Sequence, residues 1–381
     1  MAARYRNATL SLKKIVIDCR ELQGGMTGIG RFLHNFLISL GSLDRENKYF
    51  LLFNKKTELN IRCDNITSHI IPESSTFLWD QWILPRYLRA IKADVFFSTY
   101  YKAPLLASCP TIITIHDVYF FTLPIHRKQN GFLLNLYYRF AGRVFCRKAT
   151  EILTVSEHSK QEIMRAYGVP SEKIKIVYNG VDLDRFQRLP TEEVKNRIQS
   201  KFPKIHGNYI LYVGNSKPHK NISFLVKGYD SLPEDFKKTT QIVLAGVGEN
   251  FCRETTDGTD RLVLIPFVDE ADLPLIYNAA TVFATASLDE GFCLPVVEAM
   301  ACGTPVLVSN RGAIPEIVSQ GGYFFNPDNE ADFVCKLTSL LRDPLMREAS
   351  STKGINEARR FSIQSYSEKI YRILMHAVNA M

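Results

Sequence analysis

"SLDEGFCLPVVEAMACGTPVLVSN" (residues 287–310) places two glutamates, Glu290 and Glu298, with seven residues between them, on either side of a helix start. Gly291 breaks the chain after the first glutamate, and Pro295 suits the first turn of a helix that "LPVVEAMAC" continues. "TPVLVSN" then reads as a buried strand, and "TVFATAS" (281–287) as another one just before the turn. Strand, glycine turn, helix and strand is the unit from which parallel sheets are built. In that arrangement Glu290 lies in the loop at the strand's carboxyl end, and Glu298 lies in the first turns of the helix. The amides of Gly291, Phe292 and Cys293 converge at the helix N-terminus, where unpaired N–H groups favour an anion or sugar oxygens. Taken alone, the same stretch also reads as an N-capping Glu290 and a solvated Glu298.

Outward from this unit the pattern repeats. "NYILYVGNSK", "TQIVLAGVG", "RLVLIPF" and "GYFFNP" are further strands in the same half, with helical stretches between them. The other half holds "KKIVIDCR", "YFLLFN", "ADVFFST", "TIITIHD", "EILTVSE" and "IKIVYNG", each ending where polar or glycine residues begin. Two strand–helix series in succession predict an α/β protein of two Rossmann-like domains, their parallel sheets facing across a cleft. The boundaries fall at 1–186 for the first domain and 187–364 for the second. Residues 365–381 form a C-terminal helix expected to pack back on the first domain. The charged stretch from Phe186 to Gly207, with Pro190 and Pro203, reads as the connection.

At 381 residues the chain suits two domains of roughly 150–200 residues each. Its 46% hydrophobic and 23% charged residues are those of a globular protein. No stretch reaches the roughly 20 apolar residues of a membrane-spanning helix, and "MAARYRNATLSLKK" lacks the apolar core of a secretory signal. The eight cysteines stand singly, without metal-ligand spacing, which fits a reducing cytoplasm and predicts no obligatory metal. A net charge of +8 favours anionic partners such as phosphates, nucleotides or an acidic membrane face.

Two further loops invite a phosphate. "YILYVGNSKPHKNISFLVKGY" (209–229) is a strand, a glycine turn, a basic loop and a helix opening at Asn221, with Lys220 just before it. A solvated lysine is the plain alternative. "GGMTGIGRF" (24–32) follows the first strand and opens a helix, so its glycines could let backbone approach a diphosphate. It lacks the G-x-G-x-x-G spacing of a dinucleotide site.

Taken in order, these motifs make a resemblance specific. The chain resembles the retaining glycosyltransferases of the GT4 family, which have the two-domain GT-B architecture, and among them the mannosyltransferases. "EGFCLPVVE" matches that family's E-x7-E motif, continued by "EAMACGTPVLVSN" and "GAIPEIV", and "YVGNSKPHKN" matches its phosphate-lysine loop. "TGIGRF", "TIHD", "VSEHSK" and "YNGVD" occur in the expected order over nearly the full length.

The resemblance implies roles residue by residue. Glu290 holds hydroxyls of the donor sugar, helped by the backbone N–H groups of Gly291, Phe292, Cys293 and Leu294. Glu298 binds the ribose, Lys220 grips the diphosphate as it leaves, and Asn215 sits in the same donor loop. Gly28, Ile29 and Gly30 approach the phosphates from the other domain, and His116 lies beside the anomeric centre with Asp117 close by. The implied donor is a nucleotide-diphosphate sugar: GDP-mannose is favoured, with dTDP-rhamnose and UDP-hexoses open. The implied acceptor is a glycan or lipid-linked glycan in surface polysaccharide synthesis, handled in the cytoplasm or at the inner membrane face, with no nucleic acid partner. A sugar-nucleotide epimerase on the same fold and a non-catalytic nucleotide-sugar sensor are the rival readings.

The chain departs from the family in places. His219-Lys220 stands where a basic pair is common, and Cys293 stands where glycine is common. Cys302 reads as a packing thiol. "VDLDRF" (181–186) contains an Asp-x-Asp, which reads as turn and capping chemistry. Residues 127–148 carry six basic residues and no acid, with Leu133, Leu136, Phe140 and Val144 as an apolar stripe flanked by Arg139, Arg143 and Arg147. That stretch reads either as a surface for anionic lipid or as a core helix with solvated arginines; on both readings the stripe faces the first sheet.

Overall fold

The computed structural model describes residues 12–23, 27–57, 61, 63–122, 139–248, 251 and 261–379. The first sheet contains β1 (Lys14–Asp18), β2 (Lys48–Phe53), β3 (Ile66–Ile70), β4 (Val95–Ser98), β5 (Thr111–Thr114), β6 (Glu151–Thr154) and β7 (Ile174–Ile176). Its order is β3-β2-β1-β4-β5-β6-β7. The second contains β8 (Asn208–Val213), β9 (Thr240–Ala245), β10 (Leu262–Ile265), β11 (Val282–Thr285), β12 (Val306–Ser309) and β13 (Tyr323–Phe325), in the order β10-β9-β8-β11-β12-β13. The ladders are parallel throughout, for example Ile15 opposite Tyr49 and Val95, and Tyr212 opposite Leu244. Both faces of such sheets are covered, which is why β4, β5, β9, β11 and β12 are buried along their whole length.

The strand order reverses direction between β1 and β4 in one sheet and between β8 and β11 in the other. Ligands of open α/β sheets bind outside the carboxyl ends of the strands at such reversals. The two domains share one apolar core: Phe292 of the second meets Tyr178 of the first and Phe361, which stacks edge-on to both. After β13 and its helices the chain returns, Val181 bridging to Ser362. Helix Ile363–Asn379 then lies on α1 (Gly28–Leu43), with Ile370 and Leu374 buried and the Tyr366 hydroxyl donating to the Phe32 carbonyl at 2.5 Å.

Three expectations are corrected. The connecting stretch contains a helix, Thr191–Lys201, which buries Val194 and ties Lys201 to Asp272 at 3.0 Å, so it belongs to the second domain's packing. Gly28 and Gly30 are not in a loop: they form the first turn of α1, capped by Thr27, whose hydroxyl accepts from the Gly30 N–H at 3.0 Å. Of the basic stretch, residues 127–138 lie outside the described residues, as do Gly24 and Gly25. In its described part Phe140 is 73% exposed, and the buried face is carried by Phe145, Cys146 and Ala149. Gly142 sits against the Tyr167 ring, which fixes that rotation of the helix.

Candidate active site

β8 and β11 are neighbours, so the loops after them meet. Lys220 ends a tight turn, Pro218–Lys220, and its Nζ donates to Glu290 Oε1 at 2.5 Å. The Ser287 hydroxyl donates to the same oxygen at 2.7 Å. Burial disfavours the Lys220 ammonium, yet the charge of Glu290 leaves its pKa raised, so the group stays cationic. Gly312, at φ 61°, explains how the loop holds its shape: a Cβ there would lie 2.5 Å from the Glu290 nitrogen. The Ala313 N–H donates to the Glu290 carbonyl at 2.9 Å, pinning the glutamate from the loop after β12.

Cys293 is the residue before the helix Leu294–Ala301, and its φ is 76°. That left-handed turn costs an ordinary side chain about 1–2 kcal/mol and gives the physical reason why glycine suits the position. Phe292 is buried in the shared core, so its side chain is structural. Gly291 touches the other domain: a Cβ on it would lie 2.5 Å from the His116 carbonyl, so only glycine lets the two loops meet. Cys302 is buried, and borders a separate cavity of about 630 Å³ with Arg188, Val194 and Tyr209.

His116 follows β5. Burial, partly opposed by a hydrogen bond to the Thr99 backbone, lowers its pKa to about 4, so the imidazole is neutral. The Phe32 ring lies edge-on to it at 4.9 Å. Its Nε2 is shielded from solvent and has no hydrogen-bond partner among the described residues. A buried nitrogen without a partner is costly unless a ligand completes it. Asp117 beside it is raised to about 6, by burial first and then by the charges of Glu290 and Asp289, with Lys217 opposing. Tyr119 reaches across the cleft and its hydroxyl accepts from the Gly291 N–H at 2.6 Å. Its ring rests on the buried His219 at 4.8 Å.

Glu298 is 2% exposed. Its Oε1 accepts from Arg31 at 2.6 Å and its Oε2 from the Tyr277 hydroxyl at 2.8 Å. Arg31, one residue after Gly30 on α1, also holds Glu270 at 2.7 Å, and Arg185 meets the same glutamate at 3.2 Å. A crevice of about 70 Å³ opens here, lined by Arg31, Asn35, Gly180, Leu294 and Glu298. Gly28 faces open space. Asn215 is exposed, its Oδ1 accepting from Lys217 N–H at 3.2 Å. Glu316, in "GAIPEIV", accepts from the Glu157 and His158 N–H groups at 2.9–3.2 Å, and so caps the helix Glu157–Tyr167 of the other domain. His158 binds Asp289 at 2.8 Å. Asp182, in "VDLDRF", accepts from the N–H groups of Asp184 and Arg185 at 3.2 and 3.1 Å, a local turn.

The structure thus brings Glu290, Lys220, Gly291 and Cys293 together against His116 and Asp117, with Glu298 and Leu294 on the next helix. Sequence reading missed Arg31, Tyr119 and the His158–Asp289 and Glu316 contacts. Arg31 lies inside the quoted "TGIGRF" and Tyr119 two residues after "TIHD"; what hid them was the cross-domain partner. Among the described residues no group of three His, Cys, Asp or Glu side chains is placed to hold a metal ion.

Residues 27–185 match the family model described as Glycosyltransferase Family 4, and residues 194–357 match Glycosyl transferases group 1. The O-antigen chain mannosyltransferase B of Escherichia coli is 30% identical over 259 residues, 66% of either chain. Sucrose-phosphate synthase of Thermosynechococcus elongatus has the same fold, with a TM-score of 0.75 at 17% identity over 97% of this chain and 100% of that one. So has HepE of Anabaena in complex with UDP-glucose, at 0.73 and 19%, over 95% and 99%. Two parallel sheets facing across a cleft, the charged loops at their reversal points and these matches give one conclusion: the chain belongs to the GT4-type, mannosyltransferase-like glycosyltransferases of GT-B fold.

Proposed function

We propose that the chain transfers a hexose, mannose in first place, from a nucleotide-diphosphate sugar to a glycan or lipid-linked glycan with retained anomeric configuration. One observation carries the reading: Lys220, Glu290 and the Gly291 amide converge at the carboxyl ends of β8 and β11, where Gly291 packs against the His116 carbonyl of the other domain. An ammonium, a carboxylate and a backbone donor there match a diphosphate and a hydroxylated ring, and the Glu298 crevice matches the ribose. GDP-mannose is the favoured donor because the relative at 30% identity is a mannosyltransferase; HepE, solved with UDP-glucose, keeps UDP-hexoses in play.

In this mechanism the acceptor attacks from the face the phosphate leaves, and the departing phosphate takes the acceptor proton. Lys220 stabilises the charge that develops on it, and Glu290 orients the sugar. Neutral His116 can accept or donate a hydrogen bond at the reacting face without adding charge. No metal is required on this reading. We place the enzyme in the cytoplasm or against the inner membrane face, with 1–186, 187–364 and 365–381 as its structural divisions.

The test is a thermal-shift panel of GDP, UDP, dTDP and their sugar conjugates, since a bound ligand raises stability by mass action. One sugar conjugate should stabilise more than its free nucleotide, and Glu298→Ala should weaken the conjugate and the free nucleotide alike. Stabilisation by none of them would sink the reading. Quantitative isomerisation of the donor without acceptor would turn it into an epimerase.

A further inference from the structure

The segment between β3 and β4 forms one helix in three pieces, Thr76–Leu78, Trp79–Ile83 and Leu84–Ile91, the middle one widened to a π turn. In an ordinary helix residues three apart share a face. Here Trp79 is fully buried while Trp82 is 60% exposed, because the wider turn rotates position 82 away from position 79. Trp79, Leu84 and Leu88 pack on Val16, Leu52 and Phe96 of the first sheet, so the helix is anchored and its outer face is fixed.

That outer face is apolar at one end and cationic at the other. Phe77 is 71%, Leu78 50% and nearby Leu106 69% exposed. Gln81 holds the Leu106 loop in place, donating to the Ala103 carbonyl at 3.1 Å and accepting from the Leu105 N–H at 3.0 Å. Beyond Trp82 come Arg86, whose guanidinium lies 3.5 Å over the Trp82 ring, then Arg89 and Lys92, all exposed. The one acid on residues 76–92, Asp80, is buried and held by Arg20 at 2.6 Å, and Glu73, which accepts from the Thr76 hydroxyl and pairs with Arg20, lies at the opposite end of the helix from Arg86, Arg89 and Lys92. Arg20 also holds Asp18, the last residue of β1, which sets the apolar end at the carboxyl edge of the sheet, the edge that borders the cleft.

We propose that Phe77, Leu78, Trp82 and Leu106, flanked by Arg86, Arg89 and Lys92, seat on the anionic surface of a lipid bilayer. Exposed apolar groups in one patch mark an interaction surface, and a tryptophan beside basic residues suits the boundary between acyl chains and anionic headgroups. A second copy of the chain fits less well, because its own cationic flank would face like charge. The surface deepens the reading of a lipid-linked acceptor, and would hold the cleft near a lipid-borne glycan.

The chain's two tryptophans make the test direct, since only Trp82 is exposed. Vesicles of phosphatidylglycerol and phosphatidylcholine should sediment with the protein and shift its tryptophan emission to the blue; phosphatidylcholine alone should do neither. Phe77→Glu with Leu78→Glu should abolish the shift, and Arg86→Glu with Arg89→Glu should weaken binding about 10-fold or more. Both variants should keep the wild-type thermal response to nucleotide sugar, which measures the donor site independently of lipid. Absence of a shift with anionic vesicles, or an equal shift in the variants, overturns the proposal. So does a concentration-dependent dimer, seen by light scattering, that the Phe77/Leu78 variant dissolves.

Discussion

The two walls of the cleft are built differently. The second domain's wall is held by its own loops: Ser287 and Lys220 fix Glu290, Gly312 makes room for it, and Tyr277 fixes Glu298. The first domain's wall supplies groups that reach over and complete the other side: Arg31 on Glu298, Tyr119 on the Gly291 amide, His158 on Asp289. On the proposed function this self-held, rigid side carries the anion and hydroxyl chemistry. On the same reading a donor competes with contacts of the second kind and uses those of the first, so substitutions on the two walls should differ in kind as well as in size.

Lys220→Ala removes the cation paired with Glu290 and should lower kcat/KM by about 10²–10³-fold, roughly 2–4 kcal/mol of barrier. Steady-state kinetics with the preferred donor checks this, and full activity would move the phosphate elsewhere. On the reaching side, Asp117 titrates in the folded protein at about 6, above the ordinary carboxyl value of 3.8. A raised acid favours folding while protonated, so its contribution is present below about pH 4 and lost as pH rises through about 6. Asp117→Asn should then stabilise the protein by about 1–3 kcal/mol at pH 7.5 relative to its effect at pH 4. Melting curves across that range check it, and a pH-independent difference would contradict the burial.

Tyr119→Phe keeps the ring on His219 but frees the Gly291 amide. If the phenol stands in for a sugar hydroxyl, affinity for the nucleotide sugar should rise about 2- to 10-fold while affinity for the free nucleotide stays unchanged. Calorimetry with both ligands separates the two, and weaker sugar-nucleotide binding would make Tyr119 a direct contact. The smallest expected effect is at Cys293. Glycine there relieves the left-handed strain and loses a buried thiol, for a net change within about 0.5 kcal/mol, whereas Cys293→Val should destabilise by about 1–2 kcal/mol. Equal melting temperatures for the two variants would deny that the backbone sets the preference.

Twelve of the strands announce themselves as short apolar runs ended by glycine or polar residues, because a strand covered on both faces has no polar side to show. β3 does not: "ITSHI" is an edge strand, largely open to solvent, with polar residues that a loop could equally carry. The helix at Thr76–Ile91 is hard to read for a related reason, since its π turn breaks the helical period that would have revealed it.

The sequence by itself determined the two parallel-sheet halves, the loops that bear Glu290, Lys220 and His116, and the helix that bears Glu298. Those follow from local patterning, with glycines and charges falling at strand ends. Only the tertiary structure decided which groups those residues meet. Arg31 lies 267 positions from Glu298, and Tyr119 lies 172 positions from Gly291. Such pairs leave no local period in the chain, because they come about only when two independently wound sheets close on each other.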